Sequence, residues 1–211
     1  MSTSSCDVRV CFVGDSFVAG PGDSTGLGRV GRISNESHRR GLPLTTYNRG
    51  VRRDTSLLIC ERLAREVAPR LAHAEIPRIV ASYGVNDTAL ENGTTRVSRA
   101  DSVTELRSIG IVSGRTELMF IGPHAVDDDH QNERISDLSD ALQEETKSLG
   151  IPYLECFEST VADSVWRRQV REGDGFHSDA TGYGHLAAIV ESPLLEWLSP
   201  HTIGASQNLV L

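Results

Sequence analysis

The sequence predicts an α/β fold, a parallel sheet with helices on both faces, and three observations carry that expectation. Short runs of aliphatic and β-branched residues recur along the 211 residues; longer stretches of helical spacing or polar composition separate them; and a loop with Gly, Asn, Asp or Pro follows each run. Strands covered on both faces read as continuous apolar runs rather than alternating ones, as the clearest of these do. Right-handed crossovers leave few topologies for such an alternation. The one expected is a flavodoxin-like, doubly wound sheet of five parallel strands in a three-layer α/β/α sandwich.

The strands are expected at residues 8–13, 44–47, 78–82, 118–121 and 151–154. Between them, residues 56–71 place Leu57, Leu58, Cys60, Leu63, Ala64, Val67 and Leu71 at roughly helical spacing, with charges on the other face. Residues 132–149 do the same with Ile135, Leu138, Leu142 and Leu149, and Gly150 and Pro152 stop that helix. A last helix is expected over residues 181–198, ending before Pro200. No repeat, low-complexity segment or linker divides the chain, so a single domain over 1–211 is expected, with tails at 1–6 and 201–211 that need not be ordered.

Composition narrows the partners. A formal net charge of −8 disfavours nucleic acid and anionic membrane surfaces. The first residues lack a basic segment followed by a long apolar one, and no stretch is long enough to span a bilayer, so a soluble, cytoplasmic protein is expected. Cys6, Cys11, Cys60 and Cys156 form no C-x-x-C pair and read as small, mostly buried core residues rather than a metal knuckle or disulfide set. Oligomeric state is not legible in the sequence.

In doubly wound sheets ligands bind beyond the carboxyl ends of the strands, so the chemistry is sought in the loops there. The first is Gly14-Asp15-Ser16-Phe17. A serine hydroxyl needs a base and nearby N–H donors to act as a nucleophile, and a strand-to-helix turn offers such donors. The same residues read equally well as a helix cap. The second is Tyr47-Asn48-Arg49-Gly50-Val51, where Gly50 permits close backbone approach or simply makes a turn. In Gly84-Val85-Asn86-Asp87, Asn86 offers an amide donor for a developing negative charge, or a cap. In Asp174-Gly175-Phe176-His177, the carboxylate lies one turn before the imidazole and can orient it.

Singly these motifs are weak; their order along the chain makes them jointly specific. Over residues 8–190 the chain resembles the SGNH hydrolases, also described as GDSL-type esterases and lipases, through Ser16, Gly50, Asn86 and His177 in their four blocks. The resemblance implies a serine esterase acting on small-molecule esters through an acyl-enzyme, without metal or organic cofactor. It implies Ser16 as nucleophile, His177 as general base and acid, and Asp174 as its orienting carboxylate. The N–H groups of Ser16 and Gly50 and the side chain of Asn86 would form the oxyanion hole.

Four features depart from the family or compete with it. The first block reads Gly-Asp-Ser-Phe, with Phe17 expected to alter packing more than chemistry. Arg52 and Arg53 follow Gly50; one of them is expected either to face the pocket mouth and favour a negatively charged ester or to pair with Asp54 in solvent. After the fourth strand, His124 and the run Asp127-Asp128-Asp129-His130 are expected to wall the substrate pocket or to start a helix, and a metal there is not expected. The glycine-rich stretch 20–26 raises a flavin- or nucleotide-binding alternative, although no phosphate-loop pattern is present and Asp15 and Asp23 would repel phosphate. A catalytically silent ligand-binding relative is the other alternative.

Overall fold

A computed structural model describes residues 6–199; the expected tails, Cys6 apart, lie outside the described residues. The chain runs β1 Val8–Gly14, α1 Ser16–Ala19, α2 Gly28–Arg39, β2 Leu44–Gly50, α3 Ser56–Leu71, β3 Ile76–Ser82 and α4 Val85–Thr88. A two-strand antiparallel hairpin follows, β4 Leu90–Glu91 with β5 Thr94–Thr95. Then come α5 Arg99–Ser113, β6 Glu117–Ile121, α6 Asp129–Leu149, β7 Tyr153–Leu154, α7 Phe157–Ala162, α8 Ser164–Glu172 and α9 Ala180–Leu198.

Five strands form one parallel sheet in the order β2-β1-β3-β6-β7, which is the expected doubly wound topology. Alternation along β1 builds both interiors. Val8, Val10 and Phe12 enter one core with Val30 and Ile33 of α2 and Leu186, Val190 and Leu194 of α9. Cys11 and Val13 enter the other with Ile59 and Leu63 of α3, Leu106 and Ile109 of α5 and Leu138 and Leu142 of α6. The strand order reverses between β1 and β3, and their carboxyl ends open a crevice there.

The differences from expectation have local causes. β2 runs three residues further, through Asn48, Arg49 and Gly50 paired with Phe12, Val13 and Gly14, so Gly50 closes the strand rather than lying in a loop after it. β7 is shorter, because the Ile151 N–H is held by the Thr146 carbonyl at the end of α6 and Pro152 has no N–H to give. Leu57, Leu58 and Leu149 are exposed, the apolar faces of their helices being narrower than the spacing suggested. The sequence spacing predicts none of α2, α5, α7 and α8. For α5 a signal existed: Ser98 accepts the Asp101 N–H and its hydroxyl donates to the Asp101 carboxylate, a cap with its reciprocal acid three residues on.

Candidate active site

Three of the four blocks sit at the carboxyl ends of three neighbouring strands, β2 at the sheet edge and β1 and β3 beside it. Ser16 follows β1, Gly50 ends β2, and Asn86 lies in α4 just after β3. The fourth does not follow a strand: Asp174 and His177 occupy the connection between α8 and α9. That loop is tied down at Gly175, whose N–H donates to the Val170 carbonyl and whose carbonyl accepts from the Asp127 N–H.

Both readings of the first block hold at once. Asp15 caps α1, its carboxylate accepting the Phe17 N–H at 2.9 Å, which leaves Ser16 at the first helical position with its side chain free. Ser16 Oγ lies 2.7 Å from His177 Nε2, across 161 residues of sequence. His177 Nδ1 lies 2.7 Å from Asp174 Oδ2, while Asp174 Oδ1 accepts the N–H groups of Phe176 at 3.0 Å and His177 at 2.8 Å. Burial tends to raise the Asp174 pKa, but the hydrogen bonds from the His177 ring and from these two amides outweigh it and bring it down to about 2. Asp174 is thus an acceptor only, so the neutral imidazole carries its proton on Nδ1 and presents a bare Nε2 to the Ser16 hydroxyl.

Gly50 has the most constrained position of the set. A Cβ there would lie 2.1 Å from the Ala19 nitrogen, so only glycine lets the end of β2 abut the helix that carries Ser16. Its N–H donates to Asn48 Oδ1 at 3.0 Å. The Asn86 side-chain amide donates to the Asp54 carbonyl at 2.9 Å and stands 3.4 Å from Asp15 Oδ2. The next residue fixes that loop: buried Asp87 accepts the Ser56 N–H at 2.8 Å and the Ser102 hydroxyl at 2.7 Å, linking α4 to α3 and α5.

Behind Ser16 lies a buried layer that the sequence did not disclose. Phe17 is buried, its ring 5.1 Å from His177 and 4.9 Å from His124. His124 is 1% exposed and bonded to the fully buried Arg29 at 3.2 Å, so it supports Phe17 from behind and does not wall the pocket as expected. Burial and the Arg29 charge push the His124 pKa well down, which keeps its ring neutral and able to accept from Arg29.

Asp15 is fully buried beside these groups, and burial pushes its pKa up to about 7 against the opposing Phe17 N–H bond and Arg29 charge. A carboxyl whose folded pKa is raised leaves stability intact at low pH and subtracts from it as pH rises from the unfolded value of 3.8 through 7. Asp15→Asn is therefore expected to melt increasingly above wild type between pH 5 and pH 8, with a difference on the order of a few kcal/mol at the upper end. Thermal melts across that range check it; a difference that stays constant or shrinks with pH contradicts the shift.

The glycine-rich stretch is a clamp rather than a phosphate cradle. The Asp23 carboxylate takes the Thr25 and Gly28 N–H groups and pairs with Arg32, occupying the donors a phosphate would need. The Ser24 N–H donates to Asp179 and the Tyr183 hydroxyl to the Pro21 carbonyl, while a Cβ on Gly22 (φ 87°) would meet the Ser178 carbonyl at 2.8 Å. The stretch thereby holds the start of α9 and the His177 loop against α2. The acidic run is likewise engaged: Asp127 pairs with Arg171, Asp128 caps α6 and Asp129 pairs with Arg167.

A cleft of about 370 Å³ opens over Ser16 and His177, with Asn86, Arg52, Arg53, Arg96 and Glu91 around it and Phe17, Leu90 and Phe176 as apolar wall. Asp54 pairs with Arg62 at 2.7 Å, so the expected Asp54 pairing with Arg52 or Arg53 does not form. Leu90, Glu91, Arg96 and Phe176 are not predicted by the sequence; they come from the β4–β5 hairpin, the residue that follows it and the histidine loop, where nothing in the local sequence marks them as site residues. A larger groove of about 850 Å³ lies at the opposite, amino-terminal edge of the sheet, beside Ile111, Leu149 and Trp197 and far from these groups.

Comparison with known proteins agrees with this architecture. Residues 12–185 match the model of the GDSL-like Lipase/Acylhydrolase family. A search of curated proteins finds no match. Among solved structures, a lipase/acylhydrolase from Enterococcus faecalis superposes with a TM-score of 0.76 at 22% identity, over 91% of this chain and 97% of that one. An acetylxylan esterase from Geobacillus stearothermophilus gives 0.73 at 14% identity, over 92% and 95%. A GDSL-like lipase from Bacteroides thetaiotaomicron gives 0.66 at 16% identity, over 91% and 89%. At these identities the superpositions speak for the fold, and the family follows from the match over most of the sequence: the chain belongs to the GDSL-like lipase/acylhydrolase family.

Proposed function

We propose that the protein is a serine esterase that hydrolyses carboxylic esters of small soluble substrates through an acyl-enzyme on Ser16. The observation that carries this reading is the continuous chain from Ser16 Oγ through His177 to Asp174, 2.7 Å at each link, at the floor of an open cleft. Ser16 Oγ attacks the ester carbonyl as its proton passes to His177 Nε2, and Asp174 stabilises the imidazolium. The tetrahedral intermediate collapses with His177 returning that proton to the departing alcohol. Water then attacks the acyl group, giving a proton to His177, and the acid leaves as Ser16 regains its hydrogen.

The oxyanion is held by N–H donors placed before charge develops. Ser16, first in α1, has an N–H with no partner inside its helix. The Asn86 amide has one hydrogen on the Asp54 carbonyl and keeps its second for the oxyanion, the Asp15 oxygen at 3.4 Å being a weak competitor. The Gly50 N–H would share its present bond to Asn48. Asn86→Ala is expected to lower kcat by about 10²- to 10³-fold with little change in KM, because this bond strengthens only as the oxyanion forms. A rise in KM at constant kcat would instead place Asn86 in ground-state binding.

Family membership supports ester hydrolysis, and the acetylxylan esterase of the same fold makes acetyl esters a sensible first member of a substrate panel. The decisive measurement is pre-steady-state turnover of 4-nitrophenyl esters differing in acyl length. One equivalent of nitrophenol released in a burst supports the acyl-enzyme. The absence of any hydrolysis across a panel varying both acyl and leaving groups refutes it, and with it favours the catalytically silent alternative.

A further inference from the structure

We propose that the substrate carries a carboxylate or phosphate group, bound at the mouth of the cleft by Arg52 together with Arg53 and Arg96; this rests on the esterase reading above. The charge at the mouth is the first observation. Three guanidinium groups and one carboxylate, Glu91, line it apart from the Asp174–His177 pair, in a protein whose net charge is −8. An electropositive opening in an otherwise acidic molecule attracts anions and repels little of what it must bind.

The second observation is how those charges are engaged. Glu91 faces Arg96 at 3.2 Å and Arg53 at 3.9 Å, so one carboxylate serves two cations. Arg52 is exposed and makes no ion pair among the described residues, and the nearby acid that could have neutralised it, Asp54, is committed to Arg62. The third is backbone geometry. Arg53 sits at φ 69°, in the left-handed region a long side chain seldom adopts, and Arg96 donates to its carbonyl at 2.9 Å, holding it there. That conformation turns two successive arginines toward one cleft when an ordinary extended path would alternate them.

The remaining walls define the rest of the ligand. Leu90 is 52% and Phe176 38% exposed, on the cleft that contains Ser16. A short apolar spacer between the ester and the anion would cover them while the guanidinium forks take the oxyanion group in two-point hydrogen bonds. Carboxylate and phosphate match that fork equally well, and the anion could sit on either the acyl or the alcohol side.

The test compares charged and neutral partners that share the reacting ester. 4-Nitrophenyl hydrogen adipate against 4-nitrophenyl hexanoate places a carboxylate on the acyl side. 4-Acetoxybenzoate against its methyl ester places one on the leaving side, and 4-acetoxyphenyl phosphate against 4-methoxyphenyl acetate tests phosphate. In at least one pair, kcat/KM is expected to favour the anion by about ten- to a hundredfold, as for one or two charge-assisted bonds, and to lose that preference as salt is raised. Arg52→Glu should drive the ratio below one and Arg52→Lys should keep part of it.

Ratios near one in all three pairs, or the same ratio in wild type and Arg52→Glu, overturn the proposal while hydrolysis of the neutral esters leaves the esterase reading standing. If no ester is turned over, titrating the Ser16→Ala protein with the intact esters decides the anion site separately. At least tenfold tighter binding of an anionic partner sustains it, and equal affinity overturns it.

Discussion

Ser16→Ala is expected to lower kcat on a short-chain aryl ester by on the order of 10⁶-fold, leaving only what the cleft and the oxyanion donors contribute. Among the described residues the hydroxyl makes one side-chain hydrogen bond, to His177, and it does not cap α1, since Asp15 has taken that role. The variant should therefore fold, at a cost of about 1 kcal/mol for the one hydrogen bond removed. In the proposed mechanism Ser16 and His177 act as one proton-transfer unit, so Ser16→Ala/His177→Ala should be no slower than the slower of the two single variants. A loss in Ser16→Ala of less than about 10³-fold, or losses that multiply in the double variant, would assign the chemistry to another group.

Asp174→Asn is expected to cost about 10⁴-fold in kcat with the fold unchanged. The asparagine Oδ1 can still accept the Phe176 and His177 amides that shape the turn. Its NH₂, however, would replace an acceptor 2.7 Å from Nδ1 by a donor. Nδ1 must then become the acceptor, which moves the ring proton to Nε2 and removes the base that Ser16 needs. A variant with wild-type melting temperature and nearly unchanged kcat would show that Asp174 does not set the tautomer. Acid should act on the same pair. With its folded pKa lowered from 3.8 to about 2, Asp174 contributes stability that is present above pH 3.8 and is lost as the pH falls toward 2.

Short-range pattern carried the parts of the fold where burial is complete on both faces. Residues 8–13, 78–82 and 118–121 lie within β1, β3 and β6, because an inner parallel strand must be apolar throughout. The pattern failed where the signal is mixed: β2 is an edge strand whose last residues are Asn48, Arg49 and Gly50, and α2 buries the apolar Val30 and Ile33 together with the polar Arg29 and Ser37. Their conformations follow from what they pack against, β1 and α9, and no window of local sequence contains that information.

The sequence by itself determined the four blocks, their order and the turn that brings Asp174 to His177, since each is local chemistry within a few residues. Only the tertiary structure decided which of the remaining polar groups face the cleft. His124 turned inward to a buried Arg29, Asp54 went to Arg62 and left Arg52 without an ion pair among the described residues, and the β4–β5 hairpin with the turn after it brought Leu90, Glu91 and Arg96 to the mouth. The reason is physical: a loop side chain's partner is set by which distant strand or helix end lies beside it, and that depends on the path of the whole chain, not on the residue's neighbours in sequence.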